Sequence, residues 1–157
     1  MTQHDSHWLQ EAVGLAVDNV AVGGGPFAAL VVRDGEVVAS GVNRVTLDLD
    51  PTAHAEVSAI RAACRELGSF TLAGCELFTS CEPCPLCVAA ALWARLDRVV
   101  FAADRHDAAR GGFDDHHFYE LMDVDPQQWP SPVVPLRVED AARPFDAWLG
   151  KADRTHY

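Results

Sequence analysis

No apolar run in this 157-residue chain approaches the ~20 residues of a membrane span, so it reads as a soluble protein. Its first residues, MTQHDSHW, lack the basic-then-apolar pattern of a secretory signal, which points to the cytoplasm. Basic charge is scarce. Lys and Arg total 12 against 23 Asp and Glu, a formal net charge of −11. Phosphate contacts supply most of the non-specific affinity of nucleic-acid-binding proteins, so an extended polynucleotide is a disfavoured partner and a small neutral molecule is not. The five cysteines, at 64, 75, 81, 84 and 87, are odd in number, which argues against a disulfide framework in a cytoplasmic chain. Repeats and low-complexity segments are lacking too.

What remains describes one globular domain over residues 1–157. Hydrophobic residues are 49% and charged residues 22%, close to the globular average, which excludes the disordered and fibrous classes. A chain of this length buries roughly 68–70% of its unfolded surface and needs no covalent staple.

The patterning predicts a helix over 6–22 with Ser6 as its cap and Leu9, Val13, Ala16, Val17 and Val20 on one face. Gly23-Gly24-Gly25-Pro26 ends it. A hairpin follows, Phe27–Arg33 and Glu36–Asn43, turning at Asp34-Gly35. A second helix is expected near 54–67, a third strand at Cys75–Ser80, and a third helix from Pro85 to about Leu96. Arg98–Ala103 reads as strand four, 117–122 as a short helix, Val133–Val138 as a last strand and 144–152 as a last helix. This order predicts an α/β fold, a three-layer α/β/α sandwich around a central mixed sheet of about five strands. The proline-rich stretch 126–135 reads as a stiff connector to the C-terminal segment.

Two short motifs carry the chemistry. His54-Ala55-Glu56 opens the second helix, and Pro83-Cys84-Pro85-Leu86-Cys87 opens the third. Cysteines three apart on a helix share a face, so Cys84 and Cys87 can occupy two corners of a metal tetrahedron, with His54 at a third. A helix N-terminus favours the thiolate that zinc binds. A water in the fourth position makes the open site of a catalytic zinc. Glu56 would stand beside that water as proton acceptor and donor. Residues two apart on a helix point about 200° apart, so His54 and Glu56 converge only if His54 lies at or before the first turn. Three other readings stay open: Cys81 as a fourth ligand closing a purely structural site, Cys84-x-x-Cys87 as a redox pair, and the cysteines as core. H-x-E upstream of P-C-x-x-C is the pattern of zinc deaminases and favours the catalytic reading.

Beyond these motifs, GGPFAALVVRDGEVVASGVNRV, DPTAHAEVSAIRAAC, FTSCEPCPLCVAAALWAR, GFDD and the ending PFDAWLGKADRTHY together resemble the cytidine-deaminase-like zinc superfamily, and within it the bacterial guanine deaminases. The resemblance covers nearly the whole chain. It implies zinc-dependent hydrolysis of guanine to xanthine and ammonia, with His54, Cys84 and Cys87 as ligands and Glu56 as proton shuttle. Asn43 would bind the purine edge, and Asp115 would contact the base and protonate the leaving amine. Phe27 and Trp93 would form apolar walls. Tyr157 would close the pocket through a C-terminal segment, about 126–157, exchanged within a homodimer. Guanosine, another amino-purine, and a non-enzymatic zinc-stabilised module are the alternatives. Neither a nucleic acid nor a membrane is an expected partner.

Overall fold

The computed structural model describes residues 3–156, the side chains of Gln3 and Asp115 excepted. The chain forms two compact units, Met1–Tyr119 and Glu120–Tyr157. In the first unit, α1 (Gln3–Ala21) precedes a hairpin of β1 (Ala28–Arg33) and β2 (Glu36–Val42). A single-turn α2 (Val45–Asp48) leads to α3 (Ala55–Glu66), β3 (Cys75–Cys81), α4 (Pro85–Trp93) and β4 (Arg98–Ala103). The short α5 (Arg105–Arg110) follows, and then α6 (Asp115–Met122), which crosses the boundary between the units.

The hairpin turn fixes the first half of the sheet. Asp34 and Gly35 adopt φ of 53° and 79°, the two positive values that a two-residue type I′ turn demands. The sheet runs β2-β1-β3-β4, with β1 antiparallel to both neighbours and β3 parallel to β4. Alternation along β1 divides the core. Ala29 and Val31 pack with Ala59, Ile60 and Ala63 of α3 and Ala91 of α4, whereas Leu30 and Val32 pack with Leu9 and Ala12 of α1. Helices therefore cover both faces, the expected three layers. At the edge of the α1 layer, buried Asp5 takes two hydrogen bonds from Arg98, which also reaches Glu76.

The sheet also sets where α3 begins. Gly41 on β2 lies directly beneath the first turn of α3, and a Cβ there would collide with the backbone N of Ala59 and O of Ala55. Neither atom belongs to a side chain that can swing away. Gly41→Ala is therefore expected to push α3 outward and cost about 1–3 kcal/mol of overpacking. Urea denaturation of the metal-free protein measures that cost. A variant as stable as the wild type would show that α3 has room to move.

Four expectations are corrected. The sheet has four strands among the described residues. Residues 133–138 form no ladder; Pro135 removes a donor at the centre of the segment. Ser6 caps nothing, since α1 has already begun at Gln3. The third helix ends at Trp93, and Arg95 takes a positive φ of 60°. Finally, α2 and α5 were not anticipated; α5 starts on a capping box between Asp104 and Asp107.

The second unit contains a 3-10 turn (Pro126–Gln128) capped by Asp125, and α7 (Arg143–Gly150) in place of the helix expected at 144–152. The Trp129 indole donates to Val124 O at 3.0 Å. Phe145 and Leu149 of α7, and Val133, Val134, Leu136 and Val138 before it, are exposed. No helix of the described residues is long and apolar enough to cross a membrane.

Candidate active site

Two helix N-termini on one side of the sheet build the site. His54 is the N-cap of α3, with extended φ −66° and ψ 153°. That conformation, set just outside the first turn, lets its ring and the Glu56 carboxylate converge despite their offset of two. Cys84 is likewise the N-cap of α4, with Pro85 in the first turn and Cys87 one turn further on. Proline suits the first helical position because its missing N–H would have no helical partner there.

These side chains meet. His54 Nδ1 lies 3.5 Å from Cys84 Sγ and 3.4 Å from Cys87 Sγ, and the two sulfurs are 3.6 Å apart. A tetrahedral zinc with about 2.3 Å bonds to sulfur and about 2.0 Å to nitrogen has ligand–ligand edges of roughly 3.5–3.8 Å, so this triangle fits the ion. Two thiolates and an imidazole are also the donor set that suits zinc best. The imidazole set against both sulfurs favours a metal site over the redox-pair reading. Cys81 is elsewhere: its thiol donates to Asp104 O at 3.7 Å, and it does not join the metal-binding group.

The electrostatics prepare the pair for a cation. Cys84 is drawn down to about 4, first by the hydrogen bond it shares with Cys87 and then by His54. Cys87 is pushed up by that same shared bond and by burial. Cys84 is thus the first of the pair to ionise.

Glu56 is buried, and burial pushes its carboxyl up from the ordinary 4.5. Its Oε2 accepts from Cys87 at 3.3 Å, beside the triangle, while its Oε1 accepts from the Thr79 hydroxyl at 3.2 Å. Thr79 was missed in the sequence. Its signal is a hydroxyl on the face of β3 that otherwise carries Cys75, Leu77 and Cys81.

A cleft of about 710 Å³ opens onto His54, Glu56 and Cys84, so an ion held by the triangle is reached from it. Phe27 lines the cleft and meets Phe113 edge-to-face at 4.8 Å between ring centroids. Phe113, Asp114, Phe118 and Glu82 also line it. Asn43 reaches the cleft as well. Its Oδ1 accepts from Val45 N at 3.3 Å, while its carbonyl accepts from buried Asn19, whose amide also grips Gly25 O. Asn19 thereby ties the glycine loop to the end of β2, a long-range role that helical periodicity could not reveal.

Trp93 is not brought to this cleft. Ala91 faces the core, so Trp93, about 200° further round α4, is 63% exposed with Arg95 over its ring. Asp115 begins α6, next to the cleft-lining Asp114, but its side chain is outside the described residues, as is all of Tyr157.

The fold and the metal triangle define a class, and the chain belongs to it: the family described as "Cytidine and deoxycytidylate deaminase zinc-binding region" matches residues 2–103. Zinc is the cofactor of that class. Within it, the chain is 46% identical over 151 residues to the guanine deaminase of Bacillus subtilis (strain 168), a match spanning 96% of this chain and 97% of that protein. The X-ray structure of Bacillus subtilis guanine deaminase superposes with a TM-score of 0.94 at 44% identity, covering 100% of this chain and 99% of that one. A structure in complex with 2,6-diaminopurine matches with a TM-score of 0.69 at 34% identity, over 73% of this chain and 64% of that one. The tRNA-specific adenosine deaminase of Aquifex aeolicus (strain VF5) is 44% identical over 78 residues, 50% of this chain and 52% of that protein.

Proposed function

We propose that this protein hydrolyses guanine to xanthine and ammonia. The observation that carries the reading is the agreement with a guanine deaminase along 96% of the chain, beyond the zinc motifs and through the segment that walls the cleft. The half-length match to a tRNA deaminase covers much less, and the charge of −11 opposes an RNA substrate.

In this reading His54, Cys84 and Cys87 hold zinc. The ion supplies Lewis acidity that brings the pKa of a water toward about 7. Glu56 removes the proton of the attacking water and delivers it to a ring nitrogen of guanine. Held by Thr79 on one oxygen, it offers the other to the reaction. Asn43 binds the purine edge, Phe27 forms an apolar wall, and Asp115 protonates the amine as it departs from C2. The C2 hydroxyl gives up its proton as the carbonyl forms and so restores Asp115, while Glu56 is back in its starting state, with one water consumed and one ammonia released.

The active form is a homodimer. Leu86, Val88, Leu92 and Trp93 of α4 are exposed apolar residues on a helix that a second copy would cover, which gives Trp93 a role outside its own cleft. The exposed apolar residues of 133–149 support exchange of the C-terminal segment, bringing Tyr157 over the partner's cleft. Metal-bound thiolates suit a reducing, cytoplasmic compartment.

Ammonia release from guanine and guanosine by the zinc-loaded protein tests the reading. Fast release from guanine and slow release from guanosine is the expected result. The reverse preference would keep the chemistry and overturn the choice of base over nucleoside.

A further inference from the structure

Outside the metal group lies a side-chain network that the proposed mechanism does not use. Glu82 precedes the Pro83-Cys84 ligand loop and is largely buried. Its carboxylate receives Arg105 three times: from the backbone N at 2.9 Å, from Nε at 3.0 Å, and from Nη2. The other face of the same guanidinium lies over the Tyr119 ring, 3.6 Å from its centroid. The Tyr119 hydroxyl then donates to the carbonyl of Pro83. The circuit closes on itself: ligand loop, α5, α6 and ligand loop again. A planar ion is needed here, because only a guanidinium can fork onto a carboxylate and stack on an aromatic face together.

What the circuit fixes is the far wall of the cleft. The ligand loop is already anchored by β3 and by buried Cys87, whereas Phe113 and Asp114 lie between α5 and α6 and Phe118 on α6 itself. Arg105 and Tyr119 bracket that stretch. We infer that Arg105, clasped between Glu82 and Tyr119, is a positioning residue that holds the α5–α6 wall against the metal-ligand loop and so sets the fit of the purine. The inference rests on the deaminase reading for its kinetic consequence but not for its geometry.

The test compares Arg105→Lys, Tyr119→Phe and the double variant with wild type, zinc-loaded. Arg105→Lys keeps the charge and loses both the fork and the stack. It is expected to lower kcat/KM for guanine about 10–100-fold, carried mainly in KM, with zinc still at one per chain. The two single variants should be non-additive, because either one opens the same circuit. Amide hydrogen exchange over 113–119 should accelerate in both. A kcat/KM within about twofold of wild type, zinc loss from Arg105→Lys, or strictly additive effects would each overturn the inference. If the wild type does not deaminate guanine, the functional reading fails, and the exchange rates still decide the clasp: faster supports it, unchanged overturns it.

Discussion

Glu56→Gln is expected to lose about 10²–10⁴-fold in ammonia release while gaining stability as the metal-free protein. The loss follows from geometry. Glutamine keeps the shape and the bond from Thr79 but cannot take a proton from water. The gain follows from burial, which pushes the Glu56 carboxyl above its ordinary 4.5. An acid whose folded pKa is raised binds more protons in the native state than in the unfolded one. Its contribution is complete below the ordinary value and is lost as the pH rises through the raised one. Wild-type apoprotein should therefore lose stability as the pH rises above 4.5, by a contribution that the glutamine variant lacks. Denaturation of both at pH 5 and pH 7.5 measures it. Equal pH slopes would mean that Glu56 pays no burial penalty, and an active variant would remove it from the proton path.

Zinc uptake at pH 7 should release close to one proton from the cysteine pair. Cys84 is held near 4 and is already a thiolate, while Cys87 carries the shared proton and must surrender it. Calorimetric titration in buffers of different ionisation enthalpy counts that proton. Cys87→Ser should bring zinc stoichiometry from one toward zero and ammonia release to background, because His54 and Cys84 alone leave two corners of the tetrahedron unfilled. Chelation should do the same to the wild type, reversibly on adding zinc. Release of two protons would place a proton on Cys84 and contradict the asymmetry between the sulfurs. Full activity of Cys87→Ser would remove that thiol from the metal site.

Most of the frame was legible because period and punctuation agree. Asp34-Gly35 marks the turn, and the unbroken apolar run before Arg33 marks a strand buried on both faces. The metal triangle was legible because its ligands sit at helix starts, where short-range spacing fixes direction. Its supports were not. Thr79 and Asn19 act across 23 and 24 residues of sequence, distances over which local pattern carries no information. The side of α4 that Trp93 takes was illegible for a related reason: the helix is apolar on all sides, so periodicity alone does not say which side is covered. The expected fifth strand is broken by a local fact, Pro135, which removes a ladder donor from among β-branched neighbours.

The family match stops at residue 103, where β4 ends, yet Phe113, Asp114 and Phe118 of the cleft wall all lie beyond it. The metal triangle and Glu56 thus lie in one stretch of chain and this part of the cleft wall in another, meeting at one opening. Substitutions after 103 can reshape what enters the cleft without touching a metal ligand or Glu56. A few changes in the last third of the sequence can then alter what the cleft admits while the metal triangle and Glu56 stay as they are.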